Sequence, residues 1–174
     1  MPELGRKLHD ELNKQIQEEL FSAYLYYAIA AWFDAENFPG FAHWMRVQAM
    51  EEVTHAQKFY NHIYERGNDV ELLEIDKPPS SWDSPLAAFE AALEHERHIT
   101  GRIHHLLKIA REENDYAAEV GLLQWFVDEQ IEEEATADEM IQKLKLISDS
   151  RNGLYMLDKE LGGRQFAPPT GFEW

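Results

Sequence analysis

Apolar residues recur at steps of three and four along most of the chain, which is the pattern of helices with one buried face. The first such stretch runs from Arg6 to about Asp34, and the second from about Phe41 to Arg66. The segment Asn37–Gly40 separates them, because Asn, Pro and Gly together favour a turn. Gly67 suits the end of the second helix, since glycine adopts positive φ without steric cost.

The second half of the chain repeats this arrangement. Ser84 is a good N-cap and Pro85 suits the first helical position, so a third helix is predicted from there to about Asn114. A short turn follows, and a fourth helix runs to about Ile147. A short fifth helix is predicted over Asn152–Leu161, before two glycines stop it.

Residues 68–83 carry prolines and serines and no helical period. A connection of this length is too long for a hairpin between neighbouring helices, but it suits a crossover along a bundle. We therefore predict an all-α fold, a four-helix bundle with one long crossover and a short fifth C-terminal helix. Residues 1–161 form the predicted domain. Residues 162–174 form a tail rich in Pro and Gly, which we expect to lie over the surface or to be mobile.

Composition narrows the possible partners. The 174 residues include 33 acidic ones and carry a formal net charge of −17, so the chain repels nucleic acid and anionic membranes and attracts cations. There is no apolar run long enough to span a membrane, and the polar N-terminus does not resemble a signal peptide. The absence of cysteine agrees with a reducing, cytoplasmic location.

Each of the four predicted apolar stripes contains an acidic residue near its middle. Glu19 and Glu52 lie 18 and 15 residues from the centre of the first turn, near residue 37. Glu96 and Glu133 lie 18 and 19 residues from the second turn, near residue 114. In antiparallel hairpins with about 1.5 Å of rise per residue, the four groups converge on one layer. A single glutamate on such a stripe is often an edge residue that reaches solvent, but four at matching heights indicate a site.

The residue types of this layer favour a metal. Glu52 is followed by His55 on the same helical face, and Gln130 precedes Glu133 at the same spacing. Buried carboxylates repel one another in a low dielectric, so either some are protonated or cations are bound. Glu and His ligands without thiolates suit iron or manganese, with zinc as a competitor. The arrangement approaches the di-iron plan of two Glu and two Glu-x-x-His motifs, although the second histidine is missing.

Between about Leu8 and Leu161 the sequence resembles the non-haem ferritins of bacteria and archaea. The motifs that carry the resemblance are Glu19-Leu20-Phe21-Ser22, Gly40-Phe41, Glu51-Glu52-Val53-Thr54-His55, Ser84-Pro85-Leu86, His95-Glu96, the run from Gln124 to Glu134, and Leu157-Asp158-Lys159-Glu160-Leu161. The tail after Leu161 shows no clear family pattern.

The resemblance implies a di-iron ferroxidase centre. Glu19 and His55 would hold one iron, and Glu52 would bridge the two. Glu96 and Glu133 would hold the second iron. Two adjacent Fe(II) ions can deliver two electrons to O2 together, and anionic oxygen ligands favour the Fe(III) product.

Further residues receive roles from the same resemblance. Gln130 would lie beside the centre as a hydrogen-bonding neighbour or weak ligand, and Tyr26 would hydrogen-bond near it or supply an electron, unless it is only a core aromatic. A third, weaker iron site would be formed by Glu51, Glu129, Glu132 and, with them, Glu133. The run of acids around Glu132 could instead be a solvated surface.

The implied activity is oxidation of Fe(II) by O2 or H2O2, with storage of ferric mineral in a homo-oligomeric cage of about 24 subunits. No haem is expected, because bacterioferritins have a second Glu-x-x-His and a haem-ligating Met where this chain has Glu133 and Val53. Two alternatives remain. One is a small dimeric oxidase that consumes peroxide without storing mineral, and the other is a non-catalytic bundle whose acids are surface charge.

Overall fold

The computed structural model describes residues 3–169, and all regular secondary structure in that range is helical. Helix α1 spans Arg6–Ala35, α2 spans Pro39–Glu65 and α3 spans Pro85–Glu112. Helix α4 consists of three consecutive parts, which are Tyr116–Ala118, a π-helical turn at Glu119–Leu123, and Gln124–Ile147. Helix α5 spans Arg151–Leu161. The prediction of an all-α four-helix bundle with a short fifth helix is confirmed.

The long helices pair as α1 with α2 and α3 with α4, and the two pairs meet along α1 and α3. The connection from α2 to α3 runs along α1. At its start, the side chain of Asn68 accepts a hydrogen bond from the backbone N–H of Leu4 at 3.0 Å. Near its end, the rings of Trp82 and Trp32 lie 5.9 Å apart. The connection therefore crosses the length of the bundle, as its composition predicts.

The apolar core is divided into two clusters. The first surrounds Phe33, Phe41 and Phe89 at the end of the bundle where α1 turns into α2. The second surrounds Leu12 and Phe126 at the opposite end. On each long helix the acidic residue of the predicted layer falls between the members of the two clusters. The polar layer is thus enclosed by hydrophobic packing at both ends. Burial of apolar surface in these two clusters supplies most of the stabilisation of the fold.

The first turn differs from its prediction. Residues 37–40 were expected to form the break, but α2 already begins at Pro39. Proline is tolerated at the first helical position, because its missing N–H would have no partner there. Asn37, which has a φ of 63°, adopts the left-handed conformation that reverses the chain. The predicted N-cap of α3 is confirmed, since Ser84 Oγ accepts a hydrogen bond from the N–H of Ala87 at 3.0 Å.

The fourth helix contains a π-helical turn that its hydrophobic pattern does not indicate. Residues 119–123 form i→i+5 hydrogen bonds before the α-helix resumes at Gln124. Because a single π turn inserts one residue without ending the helix, the apolar period on either side stays close to 3.6. The turn lies immediately before Trp125 and Phe126, which face the polar layer.

Helix α5 folds back on the start of α2. The carboxylate of Asp158 accepts hydrogen bonds from the N–H groups of Gly40 at 2.8 Å and Phe41 at 3.0 Å. These donors have no partner within α2, so Asp158 acts as a cap supplied from another helix. Leu157 is buried on the same side, while Tyr155 is exposed.

Gly40 permits this close approach. A Cβ atom added there would lie 1.6 Å from the backbone oxygen of Asp158. We expect Gly40→Ala to displace α5 and lower the free energy of unfolding by roughly 1–3 kcal/mol, as overpacking does. Gly101→Ala is the matched control, because Gly101 lies within α3 with no atom within 4 Å of the added Cβ. It should raise stability by about 0.5–1 kcal/mol. Guanidinium denaturation of both variants measures the difference, and equal effects would contradict the contact.

Candidate metal centre

The four long helices bring their central polar residues together. Glu19 comes from α1, Glu52 and His55 from α2, Glu96 from α3 and Glu133 from α4. All five side chains are buried. Helical spacing explains the pair on α2, because residues three apart project from the same face. The convergence on one layer is the arrangement that the heights along the helices predict.

Within residues 3–169, carboxylate and imidazole groups converge in three sets that could hold a metal ion. The first set is Glu19, Glu52 and His55, and the second is Glu52, Glu96 and Glu133. The third set is His55, Glu129 and Glu133. In each set one potential ligand atom per residue lies within 4.8 Å of the others. Because Glu52 belongs to the first two sets, these two sets are adjacent and share one carboxylate.

Two glutamines orient these carboxylates. Gln15 Nε2 donates a hydrogen bond to Glu19 Oε1 at 2.9 Å. Gln48 Nε2 donates to Glu133 Oε2 at 2.6 Å and lies 3.4 Å from Glu52 Oε1. Neither glutamine was assigned a role from the sequence. The available signal was their position four residues before Glu19 and Glu52, where a helical side chain faces the carboxylate.

Glu96 is held from two directions. The hydroxyl of Tyr26 donates a hydrogen bond to one carboxylate oxygen of Glu96. Gln130 Nε2 lies 3.2 Å from the other oxygen and 3.2 Å from the backbone oxygen of the same residue. Burial, and then the charge of Glu96, raise the pKa of Tyr26 well above its usual range, so Tyr26 keeps its proton and remains a donor. Tyr26 and Gln130 therefore both lie beside the centre, as the sequence analysis expected.

His55 lies between the carboxylates of Glu52 and Glu129. Its Nδ1 lies 3.2 Å from Glu52 Oε2, and its Nε2 lies 3.7 Å from Glu129 Oε1. The rings of Trp125 and Phe126 contact the imidazole nearly edge-on, with centroids at 5.5 and 5.7 Å. These contacts fix the plane of the ring and leave its two nitrogens directed at carboxylates.

The carboxyl groups are strongly perturbed in the metal-free protein. Burial, and then the charge of Glu52, raise the pKa of Glu19 and that of Glu96 to about 8. Burial and repulsion from Glu96 raise the pKa of Glu133 well above its usual range. Burial alone would lower the pKa of His55, but the charges and hydrogen bonds of the neighbouring Glu52 and Glu129 together outweigh burial and raise that pKa well above 6.5. The layer is therefore short of positive charge, and bound cations would supply it.

Unsatisfied atoms in the same layer support this interpretation. Glu19 Oε2 and Gln48 Oε1 are buried and have no hydrogen-bond partner. A buried acceptor without a partner costs free energy, so such atoms usually mark a ligand, water or ion position. A donor set of carboxylate oxygens and one imidazole, without thiolate, fits iron or manganese.

Comparison with known proteins identifies the relatives of this bundle. The family described as "Ferritin-like domain" matches residues 9–147. The chain belongs to the ferritin family. It is 42% identical to the bacterial non-heme ferritin of Staphylococcus aureus strain MRSA252, over 94% of this chain and 98% of that protein. It is 40% identical to the bacterial non-heme ferritin of Bacteroides fragilis, over 92% of this chain and 99% of that protein.

Solved ferritin structures agree with the fold. An engineered closed form of the Archaeoglobus fulgidus ferritin superimposes with a TM-score of 0.92 at 48% identity, covering 94% of this chain and 99% of that chain. A novel open pore ferritin from the same organism gives a TM-score of 0.91, also at 48% identity, covering 93% and 98% of the two chains. Membership of this family supports a role in iron storage. Within residues 3–169, no helix of this ferritin is long and apolar enough to cross a membrane.

The acids expected to form a third iron site lie in different environments. Glu129 is partly buried and converges with His55 and Glu133. Glu51 is partly buried and forms an ion pair with Arg164 rather than joining a metal set. Glu132 is exposed and joins none of the sets found among the described residues. The third site of this ferritin stays a prediction, with Glu129 the member that the geometry favours.

The raised pKa values predict how the stability of the metal-free protein depends on pH. Glu19 and Glu96 ionise near pH 4.5 in the unfolded chain but near pH 8 in the folded one. Their stabilising contribution is complete below pH 4.5 and is lost as pH rises through 8. The raised pKa of His55 acts in the same direction. We expect stability to fall between about pH 5 and 8, by up to about 1 kcal/mol per pH unit for each carboxyl.

Guanidinium denaturation of metal-free protein at a series of pH values measures this slope. Glu19→Gln should flatten it, because that side chain no longer ionises. Glu94→Gln, at an exposed position of α3, is the control and should leave the slope unchanged. Stability that rises between pH 5 and 8 in the unchanged protein would contradict the assignment. Adding a divalent metal should remove the fall in stability between pH 5 and 8, because the metal binds the ionised carboxylates.

Proposed function

We propose that this ferritin oxidises Fe(II) at a di-iron centre and stores the ferric product inside a cage of its own subunits. The observation that carries the proposal is the position of Glu52, which is shared by two buried sets of three potential ligands. A shared carboxylate keeps two metal ions adjacent, and adjacency is what two-electron chemistry requires.

The proposed ligands follow the two sets. Glu19 and His55 would bind one iron, Glu96 and Glu133 would bind the other, and Glu52 would bridge them. Burial of all five side chains keeps water from replacing the protein ligands. The glutamines beside the carboxylates act as positioning residues, because they hold individual oxygen atoms in place.

The reaction balances with O2 as the oxidant. Each of two Fe(II) ions loses one electron, and O2 takes both electrons and two protons to give H2O2. With H2O2 as the oxidant, the same two electrons and two protons give two molecules of water. The chain contributes anionic oxygen ligands, which favour Fe(III) over Fe(II). It also contributes the protons that Glu19 and Glu96 hold at neutral pH and release when a cation binds.

A third cation position is proposed beside this pair. Glu129 and Glu133 approach His55 on the side of the bundle that α2 and α4 share. Glu51 and Glu132 belong to the same proposal through the family resemblance. Carboxylates that hold iron weakly suit a position through which the metal enters or leaves the centre.

Storage requires an enclosure, and we propose an assembly of about 24 subunits in the cytoplasm. The formal net charge of −17 per chain would give such a cage an anionic surface that concentrates Fe(II). The compact subunit and its similarity to solved ferritin chains support this part of the proposal.

Loss of the shared carboxylate should abolish fast oxidation. Protein loaded with Fe(II) without oxygen is mixed with aerated buffer, and absorbance of Fe(III) species is followed in a stopped-flow instrument. Glu52→Gln should slow the fast phase by roughly 10–100-fold or more, because both metal positions lose a ligand. The exposed control Glu94→Gln should keep the rate of the unchanged protein. An unchanged fast phase in Glu52→Gln would refute the ligand assignment.

The size of the assembly separates storage from the small-oxidase alternative. Light scattering coupled to size exclusion should give a particle of about 24 chains of 20.3 kDa each. A dimer at working concentration would contradict the cage and favour an oxidase that does not store mineral.

A further inference from the structure

The segment that follows α5 is anchored to α2 through Arg164. The backbone oxygen of Arg164 lies 2.7 Å from Nε2 of His43. Its guanidinium lies 4.3 Å from the centroid of the Trp44 ring and donates to the backbone oxygen of Trp44 at 3.4 Å. These contacts set the direction of the Arg164 side chain along the surface of α2.

The end of this side chain reaches the acid next to the bridging glutamate. Arg164 Nη2 lies 2.6 Å from Glu51 Oε2, and each side chain is 21% exposed. A short ion pair that is largely shielded from water is stronger than a typical surface pair. The positive charge at Glu51 is therefore already supplied by the chain itself.

The same segment walls a cavity beside the metal centre. The cavity has a volume of about 320 Å³ and is lined by Glu51, His55 and Glu129 on the bundle side. Ala167 and Pro169 line it on the other side. Two of the bundle-side residues, His55 and Glu129, belong to the outermost of the three potential metal sets.

We propose that Arg164 is a built-in counter-cation that competes with a divalent metal ion for Glu51. A metal ion that uses Glu51 must first displace the guanidinium. The backbone contact of Arg164 with His43 does not involve the guanidinium, so the exchange does not require the segment to unfold. Arg164 thereby sets how tightly the third cation is held, without contacting the two central positions.

This inference rests on the proposed function, because it concerns the third cation position of that site. The probe is Fe(II) alone, titrated anaerobically into metal-free, assembled protein by calorimetry. Arg164→Gln removes the charge while keeping much of the side-chain length, and it should tighten the third binding event about threefold to tenfold. The two tighter events should not change. Arg164→Lys keeps the charge, so its affinity for the third Fe(II) ion should stay close to that of the wild-type protein.

Two controls make the result specific. Arg46→Gln removes a guanidinium from another ion pair of α2, with Asp34 at 2.7 Å, and should leave all three events unchanged. The double variant Arg164→Gln with Glu51→Gln should lose the gain, because the freed carboxylate is no longer present. Size exclusion of each variant establishes that the assembly is intact.

The outcomes separate this inference from the function on which it rests. If the unchanged protein shows no pair of tight Fe(II) events, the proposed di-iron function fails, and this inference fails with it. If that pair is present but Arg164→Gln leaves the third event unaltered, only the role of Arg164 is overturned. If the tighter third binding persists in the double variant, the role of Arg164 is also overturned, because Glu51 could not then be the group for which the guanidinium competes.

Discussion

The desolvation of the central carboxylates is the constraint to which the rest of the bundle responds. Four glutamates and an imidazole lie between two hydrophobic clusters, where an unpaired charge is costly. Hydrogen bonds from Gln15, Gln48 and Tyr26 offset part of that cost. They do not remove it, because Glu19 keeps a buried oxygen without a partner. Two bound metal ions would compensate the remaining negative charge, which links the electrostatics of the layer to the proposed iron binding.

The two hydrophobic clusters make such a costly layer tolerable. Each of the four long helices continues through both clusters, so packing at either end fixes the height and rotation of the ligands in the middle. Ligands on rigid helices are positioned more precisely than ligands on loops. The core therefore does more than stabilise the fold, because it holds like charges at separations that they would not adopt alone.

Helix α2 connects the centre to the C-terminal part of the chain. It carries the shared Glu52, its first turn is capped by Asp158, and its Glu51 is paired with Arg164. The short fifth helix and the segment after it therefore stabilise the helix that carries Glu52. On our proposal, Arg164 in the segment after α5 also sets how tightly the outer cation is held.

Local sequence patterns are sufficient to predict the helices, the crossover and the polar layer. These features depend on local periodicity, since residues three or four apart share a helical face and equal distances from a turn give equal heights. Glu52, His55 and their partners on the other helices can therefore be placed in one layer from the sequence alone. The second helix is predicted to start near Phe41 but starts at Pro39, because proline is compatible with both a turn and a first helical position.

The neighbours that those residues acquire depend instead on tertiary packing. Glu51, Glu129 and Glu132 look alike in sequence, yet one pairs with an arginine, one approaches His55 and one is exposed. The arginine lies 113 residues away along the chain, and no local pattern records a contact over that separation. The need for glycine at position 40 likewise arises from the backbone of α5. Periodicity specifies the face on which a side chain lies, whereas its partner is specified by the packing of distant segments.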